Sequence, residues 1–143
     1  MTAQSAGRAD SHREIEQMIL RFFLHLDEQE YDQLATLMAP SGTWLRNNVL
    51  LKGPGGVREA MRARPVGFTT RHLITNMAID VVDDDHADAT YYLTVFAHSG
   101  DVKPTGPLKM EHPVHVSIVR QAVARTGDGW RVAALSAEAT FHR

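Results

Sequence analysis

Asp27 stands where a charge is costly to keep. Along Ser11–Gln29 the apolar residues recur with helical spacing, and Ile15, Met18, Ile19, Leu20, Phe22, Phe23, Leu24 and Leu26 fill one broad arc of the wheel. Gln17, Arg21, His25 and Glu28 fill the remainder. Asp27 falls between Phe23 and Leu20, so its carboxylate is expected to point inward, where it needs a partner or a shifted pKa. His72, in the run TTRHLITNMAID, is the second candidate. An imidazole held in one tautomer by a buried carboxylate is a base poised near neutral pH. Each residue also has a plainer reading: Asp27 as a helix-end cap, His72 as a structural strand histidine. Strand alternation leaves the facing of His72 open. His72, Ile74, Asn76 and Ala78 share one side, while Arg71, Leu73, Thr75, Met77 and Ile79 form the more apolar one.

Other side chains qualify as pocket walls. Phe23 on the first helix and Trp44, Tyr92 and Phe96 on later strands supply apolar surface, and Tyr92 is the expected auxiliary hydroxyl donor. The same aromatics are equally compatible with plain core. His112 and His115 invite a metal reading, but their spacing on a strand sends them to opposite faces, and Pro113 between them marks an edge or bulge. With no third ligand at suitable spacing, no metal is expected. Glu138 on the last strand faces either the pocket or a subunit contact. Gly53-Pro54-Gly55-Gly56 lacks the Lys-Ser/Thr ending of a phosphate loop and reads as a turn.

The elements that must position these groups follow from the punctuation of the chain. Residues 1–10 are small and polar and read as a loose tail, leaving 11–143 as one domain. Ser11-His12-Arg13-Glu14 has the S-x-x-E form of a capping box, which predicts a helix start at Ser11. A short helix is expected over Tyr31–Met38 and a third over Val57–Arg64, with Gly53–Gly56 breaking the chain before it. Thr43–Arg46 and Val49–Leu51 read as a hairpin about Asn47-Asn48. Long strands are predicted over 69–82, 87–98, 108–125 and 129–141, with 99–107 a looser connection. Three helices beside a strongly bent antiparallel sheet form an α+β arrangement whose concave face can enclose a pocket.

Composition removes several function classes. The chain of 143 residues is 43% hydrophobic and 22% charged, an ordinary globular balance. Its formal charge is −2 and its basic residues are scattered, so it offers no track for a phosphate backbone, and no nucleic-acid partner is expected. It contains no cysteine, which removes disulfides, Cys-ligated metals and thiolate catalysis. No apolar run approaches the roughly 18 residues of a membrane span, and no membrane partner is expected. The simplest expectation is a cytoplasmic protein acting on a small hydrophobic molecule. The exposed face of a long curved sheet predicts a homodimer or homotrimer.

Three motifs carry a family resemblance. The run from Leu26 through Leu34, followed by Leu37-Met38-Ala39-Pro40, resembles the first-helix motif of the SnoaL-like branch of the nuclear transport factor 2-like superfamily. So do Thr70-Arg71-His72-Leu73-Ile74-Thr75-Asn76 and Gly129-Trp130-Arg131-Val132, in the same order. The resemblance implies a cone-shaped fold. It also implies, at Asp27 and His72, the dyad with which scytalone dehydratase and hexachlorocyclohexane dehydrochlorinase eliminate a small molecule without a cofactor. Asn76 matches a pocket Asn of the dehydrochlorinase motif. Where scytalone dehydratase has a second catalytic histidine on the next long strand, this chain has Phe96-Ala97, with His98 just beyond and expected, like Phe96, to contact substrate in the pocket. Dehydratase-like elimination on a cyclic or polyketide-like substrate is therefore the leading expectation. Isomerisation or polyketide cyclisation by the same dyad, and a ligand-binding or assembly module without turnover, are the alternatives.

Overall fold

The computed structural model describes residues 2–143. The first helix, α1 (Ala3–Asp27), starts well before Ser11, so the part of the expected tail from Ala3 onward is helical and the capping box is not the helix start. The physical reason is visible at both places. Thr2 caps the helix by accepting a bond from the Ser5 amide at 3.2 Å. The Ser11 hydroxyl is buried and accepts instead from Arg125 Nη2 at 3.1 Å. His12, one residue on, bonds the Ile79 carbonyl at 2.9 Å and ties this segment to the sheet. Ile15, Met18, Ile19, Phe22, Phe23 and Leu26 form the buried face, which is narrower than the wheel implies because Leu20 and Leu24 are exposed.

The chain then makes α2 (Tyr31–Thr36), β1 (Met38–Arg46), β2 (Val49–Lys52) and α3 (Gly53–Arg62). The β1–β2 hairpin turns at Asn47 and Asn48, both left-handed, as the Asn-Asn pair predicts. The Gly53–Gly56 run is not a break before α3 but its first turn. Pro54 is tolerated there because the first helical amides have no intrahelical acceptor. Gly53 has φ +64°, and a Cβ at that position would come within 2.8 Å of the Pro40 carbonyl oxygen.

Four long strands complete the chain: β3 (Thr69–Val81), β4 (His86–His98), β5 (His115–Thr126) and β6 (Gly129–His142). They form one six-stranded sheet in the order β2-β1-β6-β5-β4-β3. All neighbours are antiparallel except β1 and β6, which run parallel, so the sheet is mixed. β5 begins later than the pattern predicts, because residues 108–114 carry no ladder. Three helices cover one face, and the core between layers is built on Ile15, Ile19, Phe22, Tyr91, Val119 and Val132.

The register of β3 and β4 decides what faces inward. In β3 the ladder to β4 slips between Thr75 and Ala78, and Asn76 there has φ 55°. This bulge reverses the alternation. The covered residues are Thr70, His72 and Ile74 before it, and Met77, Ile79 and Val81 after it. The two sides that the sequence pattern sets in competition are each inward over half of the strand. In β4 the odd positions Tyr91, Leu93 and Val95 are buried and the even ones turn outward.

Candidate active site

The last turn of α1 delivers Asp27 against the start of β3. His72 Nδ1 lies 2.5 Å from Asp27 Oδ1, and the His72 backbone amide donates to Oδ2 at 2.9 Å. The Thr70 hydroxyl donates to Oδ1 at 2.8 Å and itself accepts from Arg64 Nη2 at 2.8 Å. Arg64 Nη1 is held by the Leu26 carbonyl at 3.1 Å and the Tyr31 hydroxyl at 3.0 Å. The carboxylate is thus satisfied on both oxygens, with only 7% of the side chain exposed. Burial by itself would raise its pKa. The His72 side chain, its charge and its amide, together with Thr70, outweigh that and hold Asp27 below the usual carboxylate value. An ionised carboxylate can only accept, so Nδ1 carries the hydrogen of neutral His72 and Nε2 keeps the free lone pair.

His72 lines a cavity of about 360 Å³ between α1 and the concave face of the sheet. Phe23 and Trp44 line it too, with the Phe23 ring 5.2 Å from the imidazole. Leu93, Val95, Val119 and Leu135 supply the apolar walls. His115 and Ser117 enter from β5, and Arg46, Asn47 and Arg64 from the open end. Burial, then the charges of His72 and His142, push the His115 pKa down, which leaves it uncharged at neutral pH.

Four residues expected in the pocket lie elsewhere. Asn76 is exposed at the β3 bulge. Tyr92, 47% exposed, is on the outer face, because β4 parity turns its neighbour Tyr91 inward instead. Tyr91 donates to Gln121 Oε1 at 2.7 Å within the core. Phe96 and His98 line an adjoining hollow of about 940 Å³, with Leu73, Leu108 and Met110, that shares Phe68, Thr70, Ala97 and Val114 with the cavity. That hollow is larger than the cavity but contains neither Asp27 nor His72. Glu138 is exposed beside Arg120 at 3.5 Å, whereas Leu135, Ala137 and Ala139 face the cavity. Sequence reasoning missed Thr70, Arg64, Arg46 and the inward facing of His115. Only Thr70 carried a usable signal, since it shares the parity of His72.

A SnoaL-like domain model matches residues 7–136. The chain belongs to the SnoaL-like domain family. Its solved relatives share the fold at low identity. A provisionally named scytalone dehydratase from Novosphingobium aromaticivorans superposes with a TM-score of 0.80 at 18% identity, over 97% of this chain and 90% of that one. A hexachlorocyclohexane dehydrochlorinase from Novosphingobium barchaimii gives 0.78 at 14% identity, over 97% and 92%. A function-unknown protein from Mycobacterium tuberculosis gives 0.74 at 17%, over 88% and 74%. No curated protein sequence matches significantly. Among the described residues of this SnoaL-like domain, no helix is long and apolar enough to cross a membrane.

Proposed function

We propose that this SnoaL-like protein is a dehydratase-type lyase in which His72, oriented by Asp27, needs no cofactor to remove a carbon-bound proton. The substrate is a small, largely apolar molecule of cyclic or polyketide-like type. The observation that carries this reading is the 2.5 Å contact of His72 Nδ1 with a nearly buried Asp27 at the wall of a cavity of ligand size. The C–H proton passes to Nε2, its electron pair forms the new double bond, and the neighbouring C–O bond breaks. The departing hydroxyl takes the proton back from the imidazolium and leaves as water, so the protein ends as it began. Asp27 lowers the cost of the transient imidazolium, as a carboxylate does behind any catalytic histidine. His115, which lines the same cavity from β5, is the proposed hydrogen-bond partner of the leaving oxygen. The names of two similar structures, a dehydratase and a dehydrochlorinase, both denote eliminations and support this choice among the reactions a histidine base can start.

The test is product mass from a panel of hydroxylated-ring and aromatic-polyketide substrates. A product lighter by one water is expected. His72→Gln should reduce turnover by about 10²–10⁴ while thermal unfolding stays near that of the wild type. Undiminished turnover in His72→Gln overturns the mechanism. A His72-dependent product of unchanged mass identifies an isomerase or cyclase instead, and binding without any product identifies a ligand-binding module.

A further inference from the structure

The open end of the cavity holds a cation with nothing to pair with. Arg46, the last residue of β1, is half-buried and lines the cavity, yet its side chain makes no hydrogen bond and no ion pair among the described residues. The Trp44 ring lies 5.8 Å from its guanidinium carbon. Several surface arginines reach a carboxylate, Arg58, Arg62 and Arg71 at 3.3, 2.5 and 3.5 Å, and the exposed ones that do not are solvated, whereas Arg46 is half-buried. A guanidinium cannot escape burial by losing its proton, so a partly desolvated one calls for an anion.

Arg64 makes the imbalance larger. It lines the same cavity, and after desolvation its charge is the chief influence pushing the Arg46 pKa down. No carboxylate lines the cavity or the hollow beside it, and Asp27, behind His72, is already taken by His72, Thr70 and, through Thr70, Arg64. Arg46, Arg64 and Phe68 also border a second hollow of about 310 Å³ that adjoins the cavity. The two guanidiniums share the cavity wall with the apolar Leu93, Val119 and Leu135.

We infer that the cavity takes an apolar ring bearing a carboxylate, with the carboxylate on Arg46 and the ring against Trp44, Leu93 and Leu135. This deepens the lyase reading and rests on it only for the meaning of the bound molecule, since the binding itself needs no turnover. A single free guanidinium fork matches one planar carboxylate through two parallel N–H···O bonds. Arg64, with both terminal nitrogens engaged, supports the charge without contacting it directly. The Asn47 amide, next to Arg46 at the hairpin turn, lines the same opening and is a further donor.

The experiment is calorimetric titration of the full chain with 2-naphthoate, its uncharged amide 2-naphthamide, and 2-naphthyl phosphate. The acid is expected to bind about ten- to a hundredfold more tightly than the amide, the range of a charge-assisted hydrogen bond. Arg46→Met should abolish that preference with little effect on the amide, and Arg46→Lys should keep part of it. His72→Gln should leave the preference intact, so a failed lyase reading and a failed carboxylate site give different results. Equal binding of acid and amide, binding of neither, tighter binding of the phosphate, or a preference that survives Arg46→Met would each overturn the assignment. The wild-type comparison of acid with amide stands even if the variants fold poorly.

Discussion

Two parts of the cavity wall, joined where Arg64 and Arg46 border the same hollow, treat charge in opposite ways. At the α1–β3 end, Asp27, His72, Thr70 and Arg64 form an unbroken chain of hydrogen bonds between 2.5 and 2.8 Å. At the β1 end, Arg46 touches no acceptor among the described residues. The first arrangement satisfies both Asp27 oxygens without a ligand and fixes a lone pair in place, leaving only the buried Arg64 Nε–H without an acceptor. The second is incomplete, and a ligand would complete it. A site that must hold a base rigidly and still admit a substrate needs both kinds of wall, one preorganised and one waiting.

The comparison breaks most sharply at Asp27. Asn at this position keeps an acceptor oxygen, but its amide nitrogen can donate to His72 Nδ1. The imidazole would then carry its hydrogen on Nε2 and lose the lone pair that faces the cavity. Turnover is expected to drop by about 10²–10⁴, comparable to removing the base, while naphthoate binding at Arg46 persists. Steady-state rates and calorimetry on Asp27→Asn check both halves. A variant that turns over normally would show that the hydrogen-bonded end is structural only.

A smaller effect is expected at Thr70, which is 3% exposed and joins Asp27 to Arg64. Thr70→Val keeps the volume and β-branching but leaves a buried Arg64 N–H without its acceptor and Asp27 without one donor. A loss of about 1–3 kcal/mol in denaturant unfolding is expected. The corresponding change at Arg46, to Met, should cost less than about 1 kcal/mol, because that guanidinium makes no hydrogen bond and only a ring contact with Trp44. Equal losses from the two variants would erase the distinction between the ends.

How much of this was legible in sequence follows from how local each cause is. The inward turn of Asp27 comes from helical periodicity within α1, and the Asn47-Asn48 hairpin comes from two residues that tolerate a left-handed backbone. Both are short-range and readable. The facing of His72 was not readable, because the bulge at Asn76 reverses the strand's phase midway and a lone Asn does not announce a bulge. The same one-residue ambiguity exchanges Tyr91 for Tyr92 and moves Phe96 to the outer face. The network around Asp27 joins residues 26, 31, 64, 70 and 72, which meet only once α1, α2, α3 and β3 have packed. No spacing rule reaches across four elements. Arg46 and Arg64 read as ordinary charged residues at the ends of a strand and a helix for the same reason.

The smallest expected effect is a pH dependence that isolates the Asp27 carboxylate. Its pKa in the folded protein lies below the ordinary carboxylate value of the unfolded chain. Over the interval between the two, the unfolded chain binds more protons than the folded one, so stability rises with pH there. The contribution is fully present above the unfolded value and disappears as pH falls through the folded one. The measurement is the difference in unfolding midpoint between wild type and Asp27→Asn, taken from pH 6 down to pH 2.5. That difference should be constant above about pH 5 and shift against the wild type on further acidification, since only the wild type loses the ionised partner of His72. A flat difference would mean that Asp27 titrates alike in both states, and that burial cancels what His72 and Thr70 supply. Arg46→Met should track the wild type through the same range, because its charge does not change there.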